Sequence, residues 1–157
     1  MRLFKLLLIF GVLLSVVPGL LPAAASDVAV VVQRDLLVDD LTFAELRKIL
    51  LGEKQFWSSD LKVTILIRAP IAHERDVVIK IILQMTEARF RQYWISKVFR
   101  AESASSPKTI YTNEIAASLV SGIPGSIAFI ESTQVPKNLK VLRIDGRLPG
   151  ERGYPFN

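Results

Sequence analysis

Two stretches decide the fold: Val28-Ala29-Val30-Val31-Val32, and shortly after it Leu41-Thr42-Phe43-Ala44-Glu45-Leu46-Arg47-Lys48-Ile49-Leu50-Leu51-Gly52. The first is an unbroken, valine-rich apolar run, the mark of a strand buried on both faces. In the second, Thr42 precedes Glu45 by three residues, the spacing of a capping box in which each side chain satisfies the other's amide at a helix start. Phe43, Leu46, Ile49 and Leu50 return on one face, Arg47 and Lys48 fall on the other, and Gly52 ends the helix. A buried strand feeding an amphipathic helix is the repeating unit of an α/β domain.

The same alternation continues outward. Residues 34–40 read as a polar turn, and 54–60 as a loop holding Phe56 and Trp57. Residues 63–67 form a second buried strand and 72–83 a helix, nearly all apolar after Asp76. Thr86 caps a helix to about Arg100, along which Phe90, Tyr93, Trp94 and Val98 are spaced to pack inward. Thr112 or Asn113 caps a short helix ending at Gly122, and Pro124-Gly125 makes a turn. Strands at 126–130 and 139–144 complete an α/β domain with a mostly parallel or mixed sheet.

The chain has 157 residues. Residues 1–25 read as a secretory signal: Arg2 and Lys5 supply the positive start, 6–17 the apolar run, and Ala23-Ala24-Ala25 the small residues before cleavage. That run is short of the roughly 20 residues a spanning helix needs. Cleavage near Ser26 leaves a domain at 26–157, periplasmic or secreted. Loss of Arg2 and Lys5 lowers the formal charge from +5 to +3. So modest a charge argues against nucleic acid as a partner, although the whole-chain pI is 9.7. The mean hydropathy of +0.36 is likewise raised by the leader. Cysteine is absent and His73 is the single histidine, which excludes disulfides, thiol nucleophiles and thiolate or multi-histidine metal sites. No cofactor is implied.

Catalytic constellations are thin. Asp39-Asp40 are adjacent carboxylates whose side chains diverge, and they read as a solvated turn. Ser103, Ser105 and Ser106 lack a Gly-x-Ser-x-Gly elbow, and the glycines 122 and 125 lack the spacing of a nucleotide loop. His73, Glu74 and Arg75 suit either acid–base chemistry or a solvated first helical turn. No catalytic residue is assigned. Arg89, Lys97 and Arg100 fall within about 80° of one another at 100° per residue, either a basic stripe or an ordinary solvated face. The sharper candidate is the start of the 72–83 helix. Helix N-termini present unpaired N–H groups and a positive dipole end, and Arg68, Ala72, His73 and Arg75 surround this one either as an oxyanion pocket or as a satisfied loop, which spacing alone does not separate.

Taken in order, these segments resemble the periplasmic phosphate-binding proteins of ABC transporters, and in particular their short single-lobe relatives. The residues that carry the likeness are 28–32, then 41–52 against an L-T-x-x-x-L-R-x-I-F-x-G helix, then Trp57. Gly122-Ile123-Pro124-Gly125-Ser126-Ile127-Ala128-Phe129 is similar to a P-G-x-I-G-Y turn and strand, with Ala128 in place of glycine. Ile144-Asp145-Gly146 with Gly153-Tyr154-Pro155-Phe156 resembles an I-D-G…G-Y-P-L ending.

The resemblance implies a periplasmic-binding-protein-like (type II) single lobe, α/β, with a mixed sheet flanked by helices. It implies non-catalytic binding of a small oxyanion such as phosphate, and a membrane transporter or envelope protein as partner. The alternative is an envelope interaction module that kept the lobe and lost the ligand. Where full-length binders grip the anion with a Ser-Gly-Thr-type segment, this chain has Ala72-His73-Glu74-Arg75. Arg75 matches an arginine of the short relatives, Ala72 replaces their serine, and Glu74 adds a charge that repels phosphate. Whether Glu74 plugs the helix start or leaves it open separates the two readings.

Overall fold

The valine-rich run forms the strand β1, Val28–Gln33, with Val28 through Val32 fully buried. It lies inside a five-stranded sheet of a computed structural model that describes residues 26–157. The secretory signal expected at 1–25 lies outside those residues. Along the chain follow β2 (Asp40–Leu41), α1 (Phe43–Leu50), β3 (Thr64–Arg68) and α2 (His73–Asp76), which runs on as a π-helical stretch, Val77–Ile82. Then come α3 (Glu87–Phe99), β4 (Lys108–Ile110), α4 (Asn113–Gly122), β5 (Ser126–Glu131), β6 (Leu139–Val141) and β7 (Arg143–Ile144).

The sheet order is β4-β3-β5-β1-β6. β3 runs parallel to β4 and β5, whereas β1 runs antiparallel to β5 and β6. The sheet is therefore mixed, with helices on both faces. Alternation along the strands divides the core in two. Val28, Val30, Val32, Ile127 and Phe129 face α1, the π-helical stretch and α3; Ala29, Val31, Ala128 and Ile130 face α4. Ala128 is fully buried there against the small Ala116 and Ala117, so a methyl fits where the resembled motif has glycine.

Three turns join these layers. The capping box forms as read, with the Thr42 amide donating to Glu45 Oε2 at 2.9 Å and the Glu45 amide to Thr42 Oγ1 at 3.1 Å. Gly125 has φ +73°, and a Cβ there would lie 2.2 Å from the Lys62 carbonyl. The Gly125 carbonyl accepts from Trp57 Nε1 at 2.8 Å and from the Thr64 amide at 3.1 Å, which ties the loop before β3 to the start of β5. At the C-terminus, the Tyr154 hydroxyl donates to the Val28 carbonyl at 2.7 Å and the Val28 amide donates to Phe156 O at 2.8 Å. Burial pushes the Tyr154 phenol above its usual range.

Four expectations need correction. The 72–83 helix starts on time but widens, with the Leu83 amide bonded to the Val78 carbonyl five residues back; this lets Val77, Val78, Ile79 and Ile82 all bury. The 139–144 strand breaks at Leu142, and β7 pairs instead with β2, which falls in a segment read as turn. On α3, Val98 is 38% exposed, whereas Lys97 is 8% exposed and faces inward. Lys97 stands seven residues after Phe90, about 20° from it around the helix, and Val98 about 80°. The basic stripe accordingly loses Lys97, and Arg100 is held by Glu102 at 2.6 Å. Among the described residues, no helix is long and apolar enough to cross a membrane.

Candidate functional site

β3 ends at Arg68, and the chain turns through Ala69, Pro70 and the wholly exposed Ile71, at φ +79°, before α2 begins. Ala72 is the N-cap residue and, being alanine, makes no side-chain cap bond. The turn brings Arg68 and Arg75 together: Arg75 NH1 donates to the Arg68 carbonyl at 2.8 Å. All four residues expected at an anion pocket thus sit at one place, the C-terminal end of β3.

Their charges are already matched. Arg68 NH1 donates to Glu74 Oε1 at 2.8 Å and also to the Asn113 side-chain carbonyl; its NH2 reaches the Tyr111 carbonyl at 3.1 Å. Glu74 is 4% exposed. Arg75 grips Glu87 with two parallel bonds, Nε to Oε2 at 3.0 Å and NH2 to Oε1 at 2.6 Å, and its guanidinium lies 5.4 Å from the centroid of Phe90. Such a planar fork on a carboxylate is among the stronger side-chain contacts. The bond from Arg75 holds the Glu87 carboxyl below its ordinary range. His73 Nε2 is buried and without a hydrogen-bond partner among the described residues.

Asn113, read in the sequence only as a possible helix cap, and Glu87, which went unread, belong to this site. Asn113 bridges onward, its amide donating to Gln134 Oε1 at 2.8 Å. Both are the first residues of helices capped by Thr86 and Thr112. A first-turn acid or amide aimed backward at a strand end is the only signal, and it needs the topology to be heard. Among the described residues, no three of His, Asp and Glu converge as metal ligands would.

Beside the arginine pair runs a groove of about 660 Å³ between α3 and the edge strand β4. Pro70, Ile95, Val98, Phe99 and Pro107 line it, with Arg75 and Glu87 at one end. Ile95 and Phe99 are largely exposed.

No protein-family model matches the chain. Its fold is similar to that of solved structures. A Clostridium perfringens protein described as a phosphate ABC transporter substrate-binding protein, with phosphate bound, superposes at TM-score 0.62 and 18% identity over 77% of this chain and 46% of that one. PstS from Borrelia burgdorferi gives 0.61 at 19% identity, over 79% and 49%. An ABC-type phosphate transport receptor from Vibrio cholerae gives 0.55 at 18%, over 79% and 48%. The chain spans about half the length of the structures it matches. The likeness establishes the fold, a single periplasmic-binding-protein-like lobe, as the motifs led one to expect.

Proposed function

We propose that the chain is an exported, non-catalytic binding lobe, related to the substrate-binding components of phosphate transporters, that works by docking a membrane transporter or another envelope protein. One observation carries this reading: the chain's own carboxylates occupy its candidate anion site. Arg68 with Glu74 and Arg75 with Glu87 sum to no net charge, and the Arg68 and Glu74 side chains are only 15% and 5% exposed. An entering anion would strand Glu74 as an unpaired buried charge, and breaking a buried pair costs about 3–5 kcal/mol. The apolar groove fits the same reading, because exposed hydrophobic patches mark interaction surfaces.

A second reading keeps a small oxyanion such as phosphate at Arg68, Ala72, His73 and Arg75. It is favoured by two arginines at one strand end, joined by the bond from Arg75 NH1 to the Arg68 carbonyl, and by neighbours in fold that are described as phosphate proteins. Calorimetry with inorganic phosphate separates the two. The docking reading expects Arg75→Ala to leave phosphate affinity unchanged; an affinity that collapses in Arg75→Ala overturns it in favour of the oxyanion.

A further inference from the structure

At the opposite ends of β3 and β4 the balance of charge is different. A cavity of about 240 Å³ lies between the Gly52 corner after α1, the first residues of β3 and the loop entering β4. Lys54, Lys62 and Lys108 line it with Ser103, Ser105 and Ser106, and no carboxylate does. Among the described residues, neither Lys62 nor Lys108 has an ion-pair partner. Lys54 lies 5.9 Å from the centroid of Trp57. The adjoining acids stay out of the lining: Glu53 is exposed, and Glu102 is held by Arg100 at 2.6 Å and Lys97 at 3.8 Å. Trp94 forms part of the wall, and its indole N–H is buried with no acceptor among the described residues.

Unpaired ammonium groups around a partly enclosed hollow focus positive potential into it, and they repel one another until a counter-charge arrives. Lysine ammoniums and serine hydroxyls are donors that suit the several acceptor oxygens of one tetrahedral anion. The volume falls below the roughly 300–1,000 Å³ of pockets that take drug-sized ligands, so the occupant is small. From this we infer that the lysine pocket is a binding site for a small multivalent oxyanion, phosphate or sulfate, separate from the arginine cluster. The inference stands independently of the docking reading.

The test is titration calorimetry at low salt with inorganic phosphate and with sulfate, on the wild-type chain, Lys62→Gln/Lys108→Gln and Arg75→Ala. Wild type binds at least one of the two anions, more weakly as salt is raised. The double lysine variant loses roughly tenfold or more in affinity, the scale of one charged hydrogen bond. Arg75→Ala, which alters the arginine cluster alone, matches wild type. Both lysines are exposed, so matching melting curves check that the variant folds, and each single lysine variant repeats the comparison. Absence of binding to wild type by both anions overturns the inference. So does an unchanged affinity in the lysine variants, or an affinity that falls with Arg75→Ala.

Discussion

Removing Trp94 tests how this cysteine-free domain is held together. The ring is 4% exposed, meets Tyr93 edge-on with centroids 5.8 Å apart, and fills the space over Gly52, where a Cβ would come within 2.7 Å of it. Truncating a buried aromatic to alanine costs about 3–5 kcal/mol. One term works the other way, because the indole N–H is buried without an acceptor and its loss relieves a desolvation cost of about 1–3 kcal/mol. Trp94→Ala is therefore expected near the lower end, about 3 kcal/mol. Trp94→Phe keeps most of the packing and drops the orphan N–H, so it should change stability by under about 1 kcal/mol. Urea unfolding monitored by circular dichroism reads both values. A Trp94→Ala loss below about 1 kcal/mol would refute burial of this face. A Trp94→Phe loss as large as the alanine loss would refute the unpaired N–H.

Three further outcomes follow from the same structure. Gly125→Ala combines a left-handed residue, costing about 1–2 kcal/mol, with a Cβ 2.2 Å from a backbone carbonyl, so thermal melting should show a loss well beyond that range or no folded protein. Arg75 depresses the Glu87 carboxyl, so its stabilising contribution is whole above the ordinary value of 4.5 and fades as pH falls through the lowered one. Melting temperature against pH should therefore fall less steeply on the acid side in Glu87→Gln than in wild type, and parallel curves would contradict the pairing. Mass spectrometry of the mature protein should find an N-terminus near Ser26, and an intact Met1 would overturn the secretory reading.

How much of this was legible in the sequence depends on how local each feature is. The buried β1, the Thr42–Glu45 capping box and the Thr86 cap rest on neighbours within a few residues, and each formed as read; of the alternatives Thr112 and Asn113, the cap is Thr112. Features that join distant segments were not legible. The Trp57 indole bonds the Gly125 carbonyl across 68 residues, and the β2–β7 pairing joins Asp40 to Arg143. The site shows the same division. Gathering Arg68, Ala72, His73 and Arg75 required only one strand-to-helix turn. Glu74, six residues from Arg68, is equally local, whereas the neutralisation of Arg75 required Glu87, 12 residues away, and the further acceptor of Arg68 is Asn113, 45 residues away. Lys97 was misread for a different reason: its charge suggested solvent, although its angular position beside Phe90 placed it inside, where it stacks 5.6 Å from the centroid of Tyr93.

The central claim is that Glu74 and Glu87 keep the arginine cluster closed to anions. Phosphate titrated calorimetrically into Lys62→Gln/Lys108→Gln, with and without Glu74→Gln, tests it with the lysine pocket weakened. With Glu74 intact, nothing beyond the weakened binding of the lysine pocket is expected, and Arg75→Ala leaves it unchanged; with Glu74→Gln, Arg68 loses its nearest carboxylate, 2.8 Å away, and additional binding that weakens with salt should emerge. Phosphate binding that needs Arg75 while Glu74 is still in place would contradict the account.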